Sequence, residues 1–444
     1  MPSKRTEHQG AYVWIWLPKA TEPVVAGQLV PEGDTLLFHY GQSYLGREDA
    51  ISLYTPELPL QAGGLPLLPG LSIPGCIRDG APDAWGRRVL LNKVLGVKSK
   101  DADVGELSEL ACLLESGSDR IGALDFQRSP TEYVPRSLKS ATLDELVQSA
   151  QRVEQGIPLT PELDSALHHG SSIGGGRPKA LIEDGSKKYV AKFPSDSDTY
   201  SVVKGEYIAM RLAQLCGLDV APVGLESSSN KDVLLIERFD RTQTDQGWHR
   251  RSVLSALTLL RLDEMMARYA SYADFAEIIR HHFTNAAETL EELFGRLVFN
   301  ILCSNTDDHA RNHAALWDGS RLSLTPAYDI CPQARTGNET GQAMKISGDN
   351  RQSRISSCLD AAHHFLLSEK NALEIIARQV LAITAYWHEI CALCDLHETD
   401  RNLFWGRQFL NPFAFEDLEG NATSIKSLAD EGREKNKSQV SKSA

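Results

Sequence analysis

The chain has 444 residues, of which 42% are hydrophobic and 24% are charged, and its formal net charge at pH 7 is −13. This length exceeds the size at which one hydrophobic core usually stops growing, so two or more domains are expected. The composition excludes wholesale disorder, and the acidic balance argues against direct nucleic-acid binding by the chain alone.

The first third of the sequence predicts mostly β-structure. Apolar runs separated by Pro, Gly and Asp predict strands at 12–17, 24–30 and 35–40. A helix is expected to end near Val94, and another at 142–155 begins with a Thr142-Leu143-Asp144-Glu145 sequence that is typical of a helix N-cap. The polar stretch between these two helices reads as a linker.

The next part of the chain predicts a sheet, and the remainder predicts helices. A β-hairpin is expected from 180–183 and 188–193, with Asp184-Gly185-Ser186 as its turn. A helix at 207–216 stops at Gly217. The remaining predictions are strands at 220–224 and 233–237, helices within 252–303 and 358–410 including a buried one at 293–301, and a disordered tail from 424 to 444.

Cys391 and Cys394 form a Cys-x-x-Cys pair in one of these helices, with His388 and His397 nearby. A zinc site is one interpretation, but the apolar helical pattern and the lack of a second pair favour core positions. No apolar run reaches the ~18 residues of a membrane span, and no signal-peptide pattern is present. The sequence therefore predicts a cytoplasmic protein that does not enter a membrane.

A glycine run at 174–176 precedes the predicted hairpin. Glycines allow positive φ and a close backbone approach, so their N–H groups can surround phosphate oxygens. Alone such a run is more often a turn, but Ser172 and Lys179 flank it. Lys192, in the hairpin's second strand, is either a solvent-facing lysine or a phosphate-binding lysine like the one on the corresponding kinase strand.

The strand ending at Glu237 is followed by Arg238 and Phe239. This segment is either a hinge whose backbone contacts adenine, with Phe239 as an apolar wall, or an edge strand that leaves the sheet.

A carboxylate, an amide and a second carboxylate follow in the helical part. Asp307 lies five residues before Asn312, and Asp329 lies seventeen residues after it. Phosphoryl transfer from Mg-ATP needs a residue that orients the hydroxyl and oxygen ligands for the metal, and kinases use this spacing. We therefore predict Asp307 as the base and Asn312 and Asp329 as Mg²⁺ ligands. Asp308 is adjacent but lacks the five-residue relation.

These motifs occur in kinase order, so the sequence predicts an α+β protein with a two-lobed protein-kinase-like fold, an additional β-rich N-terminal subdomain and an all-helical C-terminal lobe. The predicted domains are an N-terminal subdomain at 1–135, an N-lobe-like part at 136–245 and a helical lobe with the catalytic loop at 246–423.

The motifs resemble those of the HipA family of bacterial serine/threonine kinases, which are the toxin halves of HipA–HipB toxin–antitoxin systems. The likeness covers nearly the whole chain. It is carried by the segments 79–90, 113–124, 172–179, 237–241, 307–312 and 324–330.

The resemblance implies a role for each matching residue. Asp307 would accept the proton, Lys192 would hold ATP phosphates, and Ser172, or alternatively Ser171, would be autophosphorylated. A phosphoserine in the loop would repel the ATP phosphates and switch the kinase off. The implied ATP contacts are Gly174, Gly175, Gly176, Arg177, Pro178, Lys179, Lys192, Glu237, Arg238, Phe239, His309, Ala310, Arg311, Asn312, Tyr328 and Asp329.

The resemblance also implies ATP and Mg²⁺ as cofactors and a HipB-like helix-turn-helix antitoxin as partner, with DNA reached only through that antitoxin. The protein substrate would be a translation-related protein, with an aminoacyl-tRNA synthetase as one candidate. One alternative is a non-toxic or weakly active partner module of a HipB-like repressor complex. Another is a small-molecule kinase, since aminoglycoside and choline kinases share the same order of Asp, Asn and Asp site residues.

Overall fold

The computed structural model describes residues 9–95, 107–136, 141–157, 159–160, 175–335 and 339–440. Within them, helices and strands are both abundant. The strands are β1 (Ala11–Ile15), β2 (Val24–Glu32), β3 (Thr35–Tyr40), β4 (Gly64–Leu65), β5 (Leu124–Gln127), β6 (Lys179–Asp184), β7 (Lys187–Lys192), β8 (Val223–Ser228), β9 (Lys231–Glu237), β10 (Arg241–Thr244), β11 (Gly247–Arg250), β12 (Ser252–Ser255), β13 (Ala314–Trp317) and β14 (Leu322–Leu324).

The α-helices are α1 (Gln42–Leu45), α2 (Gly75–Arg78), α3 (Ala84–Leu95), α4 (Glu109–Glu115), α5 (Leu143–Glu154), α6 (Val202–Leu215), α7 (Ala256–Leu259), α8 (Tyr272–His282), α9 (Ala286–Leu302), α10 (Ile355–Ala361), α11 (Glu369–Leu393), α12 (Glu398–Phe404) and α13 (Thr423–Val440). Short 3₁₀ helices lie at Glu264–Tyr269, Ala362–Phe365, Pro412–Phe415 and Gly420–Ala422. None of the helices in the described ranges is long and apolar enough to cross a membrane.

The chain forms two compact units. Unit 1 takes in the described residues of Met1–Ser197, Glu226–Leu254 and Leu316–Ser320, and unit 2 takes in those of Asp198–Leu225, Ser255–Ala315 and Arg321–Ala444. The segment 198–225 therefore belongs to unit 2, although we predicted it within the N-lobe-like part.

Contacts of α6 explain this assignment. Within unit 2, the Lys204 Nζ donates to the Asp395 carbonyl at 2.9 Å, and Gly205 packs so closely on the Phe404 ring that an added Cβ would lie 3.1 Å from it. The apolar face of a helix determines that it packs against other residues, but not which ones. The contacts of α6 with Asp395 and Phe404 could therefore not be predicted from the local sequence.

Unit 1 begins with a five-stranded sheet in the order β4-β3-β2-β1-β5. β2 and β3 alternate buried and less buried residues along part of their length, whereas β1 and β5 are mostly buried, and Val13, Leu29, Phe38 and Phe126 are fully buried. This alternation is the pattern of a sheet with one face against a core. β3 has the predicted bounds, and β1 and β2 differ from prediction only at their ends.

The second sheet of unit 1 contains β6, β7 and β9, which pair antiparallel in that order. Helices α3 and α5 share a hydrophobic cluster with it, in which Trp85, Val147 and Phe193 are buried. The start of α5 is confirmed, because Thr142 and Glu145 form the reciprocal hydrogen bonds of a capping box.

A buried ion network joins the end of β9 to an earlier part of unit 1. Asp240 accepts from Arg238 at 2.8 Å and from Arg241 at 2.7 Å, and it also accepts the Gly122 backbone N–H at 2.7 Å. Asp119 accepts from both arginines at 3.0 and 3.1 Å. Burial is the largest single contribution and raises the pKa of Asp240, but the two arginines and the hydrogen bonds to its carboxylate together hold that pKa below its ordinary value.

Unit 2 is built around α9 and α11. From Leu293 to Leu302 every residue of α9 is buried, which confirms the predicted central helix. Trp387 of α11 packs against Trp405 and Phe409, with ring centroids 4.9 Å away in each case. Cys391 and Cys394 are buried, and the described residues contain no group of three or more His, Cys, Asp or Glu side chains that could hold a metal ion.

Unit 2 is not wholly helical, in contrast to our prediction for the C-terminal lobe. β14 lies in it, and isolated bridges pair Val220 with Ala327 and Phe283 with Leu322. The chain remains extended after the 318–320 turn, where the Asp318 carboxylate accepts the Ser320 N–H at 2.8 Å.

The prediction of a disordered tail is wrong for residues 424–440, which lie in α13. The helix is polar overall, but Ile425 and Ala429 are buried. Arg433 donates to the Leu410 carbonyl at 2.8 Å, and Asn436 donates to the Thr384 carbonyl at 3.0 Å. The segment has few apolar residues, so its composition predicted disorder. The helix nevertheless packs on unit 2, because buried polar side chains add hydrogen bonds to those few apolar contacts. Residues 441–444 lie outside the described ranges.

Replacing Asp240 with Ala should destabilise the protein, because two guanidinium groups would lose the carboxylate that compensates their burial. We expect the free energy of unfolding to fall by about 3–5 kcal/mol, measured by urea denaturation. Asp49→Ala is the matched control, since it breaks an exposed ion pair with Arg47 and should leave the transition unchanged. Equal midpoints for the two variants would show that the network does not hold unit 1 together.

Candidate active site

The glycine-rich loop is described from Gly175 onward, and the predicted residues Ser171, Ser172 and Gly174 lie outside the described ranges. Gly175 has φ +101°, a conformation that favours glycine. The start of α3 holds this part of the loop. The Asp83 carboxylate accepts the Gly175 N–H at 2.6 Å, and the Trp85 N–H donates to the Gly175 carbonyl at 3.2 Å.

Lys179 and Lys192 face the same side of the β6–β7 sheet, because they are direct partners in its antiparallel register. Both are buried, with 5% and 6% of their surface exposed. A Cβ atom added to Gly175 would collide with the Lys179 ammonium nitrogen, so this glycine makes room for the lysine. Two positive charges beside a glycine loop suit a polyanion such as a triphosphate.

The remaining loop residues lead into β6. Arg177 is half-buried, and the Pro178 carbonyl accepts the Phe193 N–H at 2.9 Å. Gly176 is exposed, and nothing lies within 4 Å of a Cβ built on it. The loop is thus held at Gly175 and Pro178, and at Gly176 the Arg88 guanidinium donates to the carbonyl at 3.3 Å.

At the end of β9, Arg238 is committed to structural contacts. Its backbone N–H donates to the Lys188 carbonyl at 2.8 Å, and its guanidinium belongs to the buried ion network described above. Glu237 pairs with Lys187 at 2.6 Å, and Phe239 is half-buried. An adenine contact at this hinge would therefore fall to Glu237 and Phe239 rather than to the Arg238 side chain.

The catalytic-loop candidate lies in unit 2, directly after α9. Asn312 is buried, and its amide nitrogen donates to the Asp307 carbonyl at 3.2 Å while its backbone N–H donates to the His309 carbonyl at 2.8 Å. The loop is also held from outside, because the Ala310 carbonyl accepts the Leu257 N–H at 3.2 Å. Arg311 forms an ion pair with Glu264.

Asp307 is exposed to solvent. Partial desolvation by the surrounding protein raises the pKa of its carboxyl, the nearby charges of Asp329 and Asp308 raise it further, and His309 opposes the rise. Because the side chain is exposed, water screens part of this effect. A carboxylate with a raised pKa and open access is suited to accept a proton.

Asp308 has the opposite environment. It is buried, the Tyr272 hydroxyl donates to its Oδ2, and the His313 Nε2 lies 2.9 Å from its Oδ1. Burial and the Asp308 charge raise the pKa of Tyr272 well above its ordinary value, so the hydroxyl stays protonated as the donor. Asp308 is thus committed to hydrogen bonds in the interior, which leaves Asp307 as the accessible carboxylate.

Asp329 lies in a backbone turn with φ +59°. Two contacts link this turn to neighbouring segments: the Asn305 amide nitrogen lies 3.4 Å from the Asp329 carbonyl oxygen, and the Tyr328 hydroxyl donates to the Arg311 carbonyl at 2.8 Å. The Asn312 amide nitrogen is occupied, so its Oδ1 is the atom available to a cation. An amide oxygen and a carboxylate form a hard-oxygen donor set that fits Mg²⁺.

Sequence reasoning missed four buried residues around this loop. Asn305 and His313 could have been noticed as polar neighbours of the loop motif. Tyr272 and Asn300 carry no local signal, since each lies on a helix that packs beneath the loop.

Comparison with known proteins identifies two regions of the chain. A sequence model described as the HipA N-terminal domain matches residues 18–127, and one described as the HipA-like C-terminal domain matches residues 171–387. The second range includes the glycine loop, Lys192 and the catalytic-loop candidate.

Two relatives align over 328 residues each. A putative kinase, Y4mE of Sinorhizobium fredii, is 26% identical, and the alignment covers 66% of this chain and 71% of that protein. The serine/threonine-protein kinase toxin HipA of Shewanella oneidensis is 24% identical, with 67% of this chain and 74% of that protein covered.

A similar solved structure is that of the Shewanella oneidensis HipA and HipB toxin–antitoxin proteins with their operator DNA. The match has a TM-score of 0.65 at 19% identity and covers 96% of this chain and 97% of the matched chain. The predicted α+β, kinase-like fold is confirmed by this likeness.

Gly175→Ala should disturb the loop, because the new Cβ would meet the Lys179 ammonium and the backbone conformation is unfavourable for alanine. We expect destabilisation of about 1–2 kcal/mol and weaker ATP binding, measured by thermal unfolding and calorimetry. Gly46→Ala is the control, since its φ of −82° suits alanine and a Cβ built there meets nothing closer than 3.5 Å. If both variants bind ATP like the wild type, the Gly175–Lys179 contact does not shape a nucleotide site.

Proposed function

Because the chain belongs to the HipA family and is a serine/threonine-protein kinase, we propose that it transfers the γ-phosphoryl group of Mg-ATP to a protein hydroxyl as the toxin of a toxin–antitoxin pair. The observation that carries the proposal is the contrast between two adjacent carboxylates. Asp307 is exposed beside Asn312 and Asp329, whereas Asp308 is fixed in the interior.

The residues of unit 2 would orient the acceptor and hold the metal. Asp307 accepts a hydrogen bond from the acceptor hydroxyl and takes its proton as transfer proceeds. The Asn312 amide oxygen and the Asp329 carboxylate hold Mg²⁺, which neutralises charge on the phosphates when it is bound. The Asn312 Nδ2–H···O bond to the Asp307 carbonyl keeps the base and one metal ligand in a fixed relation.

The residues of unit 1 would bind the nucleotide. Lys192 and Lys179 hold phosphate oxygens, and the backbone N–H groups of Gly176 and Arg177 are further candidate donors to them, since the Gly175 N–H is taken by Asp83. Glu237 and Phe239 contact the adenine. The described contacts that support this assignment are the shared face of the two lysines and the positive φ of Gly175.

The proposed toxin acts in the cytoplasm on a translation-related protein, with an aminoacyl-tRNA synthetase as one candidate. Its proposed partner is a HipB-like helix-turn-helix antitoxin, as in the Shewanella oneidensis HipA, HipB and operator DNA complex. The net charge of −13 suits a basic protein partner better than direct DNA contact.

Self-inactivation is part of the proposal. Ser172, with Ser171 as the alternative, lies next to the glycine run. A phosphate there would bring nearly two negative charges to the place where Lys179 and Lys192 receive ATP phosphates, so it would compete with ATP for them.

Asp307→Asn should reduce phosphate transfer by at least about 100-fold, because the proton acceptor is lost while the shape of the loop is kept. The rate is measured with labelled ATP, and induced expression of the variant should no longer arrest growth. Asp360→Asn, at an exposed carboxylate on α10, is the control and should transfer phosphate at the wild-type rate. A fully active Asp307→Asn variant would remove Asp307 from the mechanism.

Incubation with Mg-ATP should place one phosphate on Ser172 or Ser171 of the wild type and none on Asp307→Asn, as read by intact-mass and peptide mass spectrometry. Ser172→Ala should remain active for longer if Ser172 is the acceptor. Phosphate only at other positions would contradict the loop switch. ATP binding without any phosphate transfer would instead favour the alternative of a weakly active partner module in a repressor complex.

A further inference from the structure

The environment of Asp308 extends beyond that residue. The Tyr272 hydroxyl, on α8, donates to Asp308 and lies 3.2 Å from the His313 Nε2. It also accepts a hydrogen bond from the Asn300 amide nitrogen at 3.4 Å. Asn300 in turn accepts from the Asn305 amide nitrogen at 3.1 Å. These five side chains form one hydrogen-bonded group, which we call the Tyr272 network.

Every member of the Tyr272 network is buried, with between 0% and 3% of its surface exposed. Polar groups in such a place lose their bonds to water, and an apolar core of the same volume would often be as stable or more stable. A gain in stability alone does not explain why these polar residues are buried here. Their hydrogen bonds also fix the orientation of each side chain.

Members of the Tyr272 network are adjacent in sequence or hydrogen-bonded to the three residues that the proposed reaction uses. Asp308 directly follows Asp307, and His313 directly follows Asn312. Asn305 reaches the Asp329 carbonyl at 3.4 Å. A non-glycine residue at positive φ is held there only when its surroundings determine the conformation, and the bond from Asn305 acts on this strained turn.

We propose that the Tyr272 network is a positioning device for the phosphoryl-transfer site. It sets the Asp307–Asn312 loop and the Asp329 turn relative to each other, so that the base and both metal ligands hold one geometry. This inference rests on the proposed function. None of the five residues is assigned a contact with ATP, metal or acceptor, so they act through Asp307, Asn312 and Asp329.

A positioning role differs in its effects from a role in stability. If the network only stabilised unit 2, its loss would lower the amount of folded protein and leave the folded fraction fully active. If it positions the metal ligands, loss should reduce the turnover rate and raise the Mg²⁺ concentration needed for half-maximal rate, while ATP binding without Mg²⁺ stays unchanged. Loss of groups that orient metal ligands usually costs about 10- to 100-fold in affinity or activity.

Asn305→Leu removes the link to Asp329, and Asn436→Leu is a matched control. Both replace a buried asparagine of unit 2 that donates to a backbone carbonyl, but Asn436 bonds Thr384 on α11, which carries no site residue. We expect Asn305→Leu to raise the half-saturating Mg²⁺ concentration by about 10- to 100-fold and to lower the rate at saturating ATP. Asn436→Leu should change only the unfolding midpoint.

Tyr272→Phe is the second variant, in case Asn305→Leu does not fold, because it deletes a single oxygen atom. It should lower the rate at saturating ATP and raise the half-saturating Mg²⁺ concentration by about 10-fold, in the same direction as Asn305→Leu. Wild-type Mg²⁺ dependence and turnover in the folded variants would overturn the positioning role.

Calorimetry of ATP binding with and without Mg²⁺ separates this inference from the proposed function. A wild type that transfers no phosphate but binds ATP more tightly with Mg²⁺ refutes the kinase proposal. The positioning role then stands if the variants lose that Mg²⁺ enhancement, and it falls if they keep it. A wild type in which Mg²⁺ has no effect on ATP binding refutes both.

Discussion

An ionised side chain can be buried only where hydrogen bonds and counter-charges replace its water, and this requirement shapes both units of the chain. In unit 1, Asp240 is buried between Arg238 and Arg241. In unit 2, Asp308 is buried against Tyr272 and His313. Such groups tolerate little rearrangement, because a shift that breaks one bond leaves a buried polar atom without its partner. Each buried carboxylate therefore fixes the orientation of its segment relative to the hydrogen-bond partners. Apolar packing alone would only keep the segment close to its neighbours.

In unit 1 this constraint ties the N-terminal residues to the segments that carry the glycine loop and the end of β9. Asp119 bonds the same arginines as Asp240, and Asp83 holds Gly175 by its N–H. Trp85 joins the hydrophobic cluster beneath β6 and β7. The family models describe an N-terminal and a C-terminal domain separately, but these contacts form one compact unit. Changes in the N-terminal part should consequently be felt at the glycine loop and at the end of β9.

The sequence predicted those features that depend on neighbouring residues. The bounds of β3, the capping box at Thr142 and the burial of α9 follow from local alternation, a fixed three-residue relation and a continuous apolar run. The spacing to Asn312 also singled out Asp307 as the candidate base, and that role stays a prediction. The sequence could not predict the engagement of Arg238 or Tyr272, because their partners lie 119 and 36 positions away. The helix at 423–440 was missed for a similar reason: its docking depends on Thr384 and Leu410, which composition does not reveal.

The two adjacent aspartates show why spacing and structure are both needed to identify a base. A proton acceptor needs an accessible lone pair at the moment of transfer. Asp308 has both oxygens engaged by hydrogen bonds in the interior, so neither is accessible to a substrate hydroxyl. Asp307 is exposed, and the protein raises the pKa of its carboxyl. Under the proposed mechanism the pair divides two tasks that a single carboxylate could not perform together: Asp308 would hold a fixed geometry, and Asp307 would accept the proton.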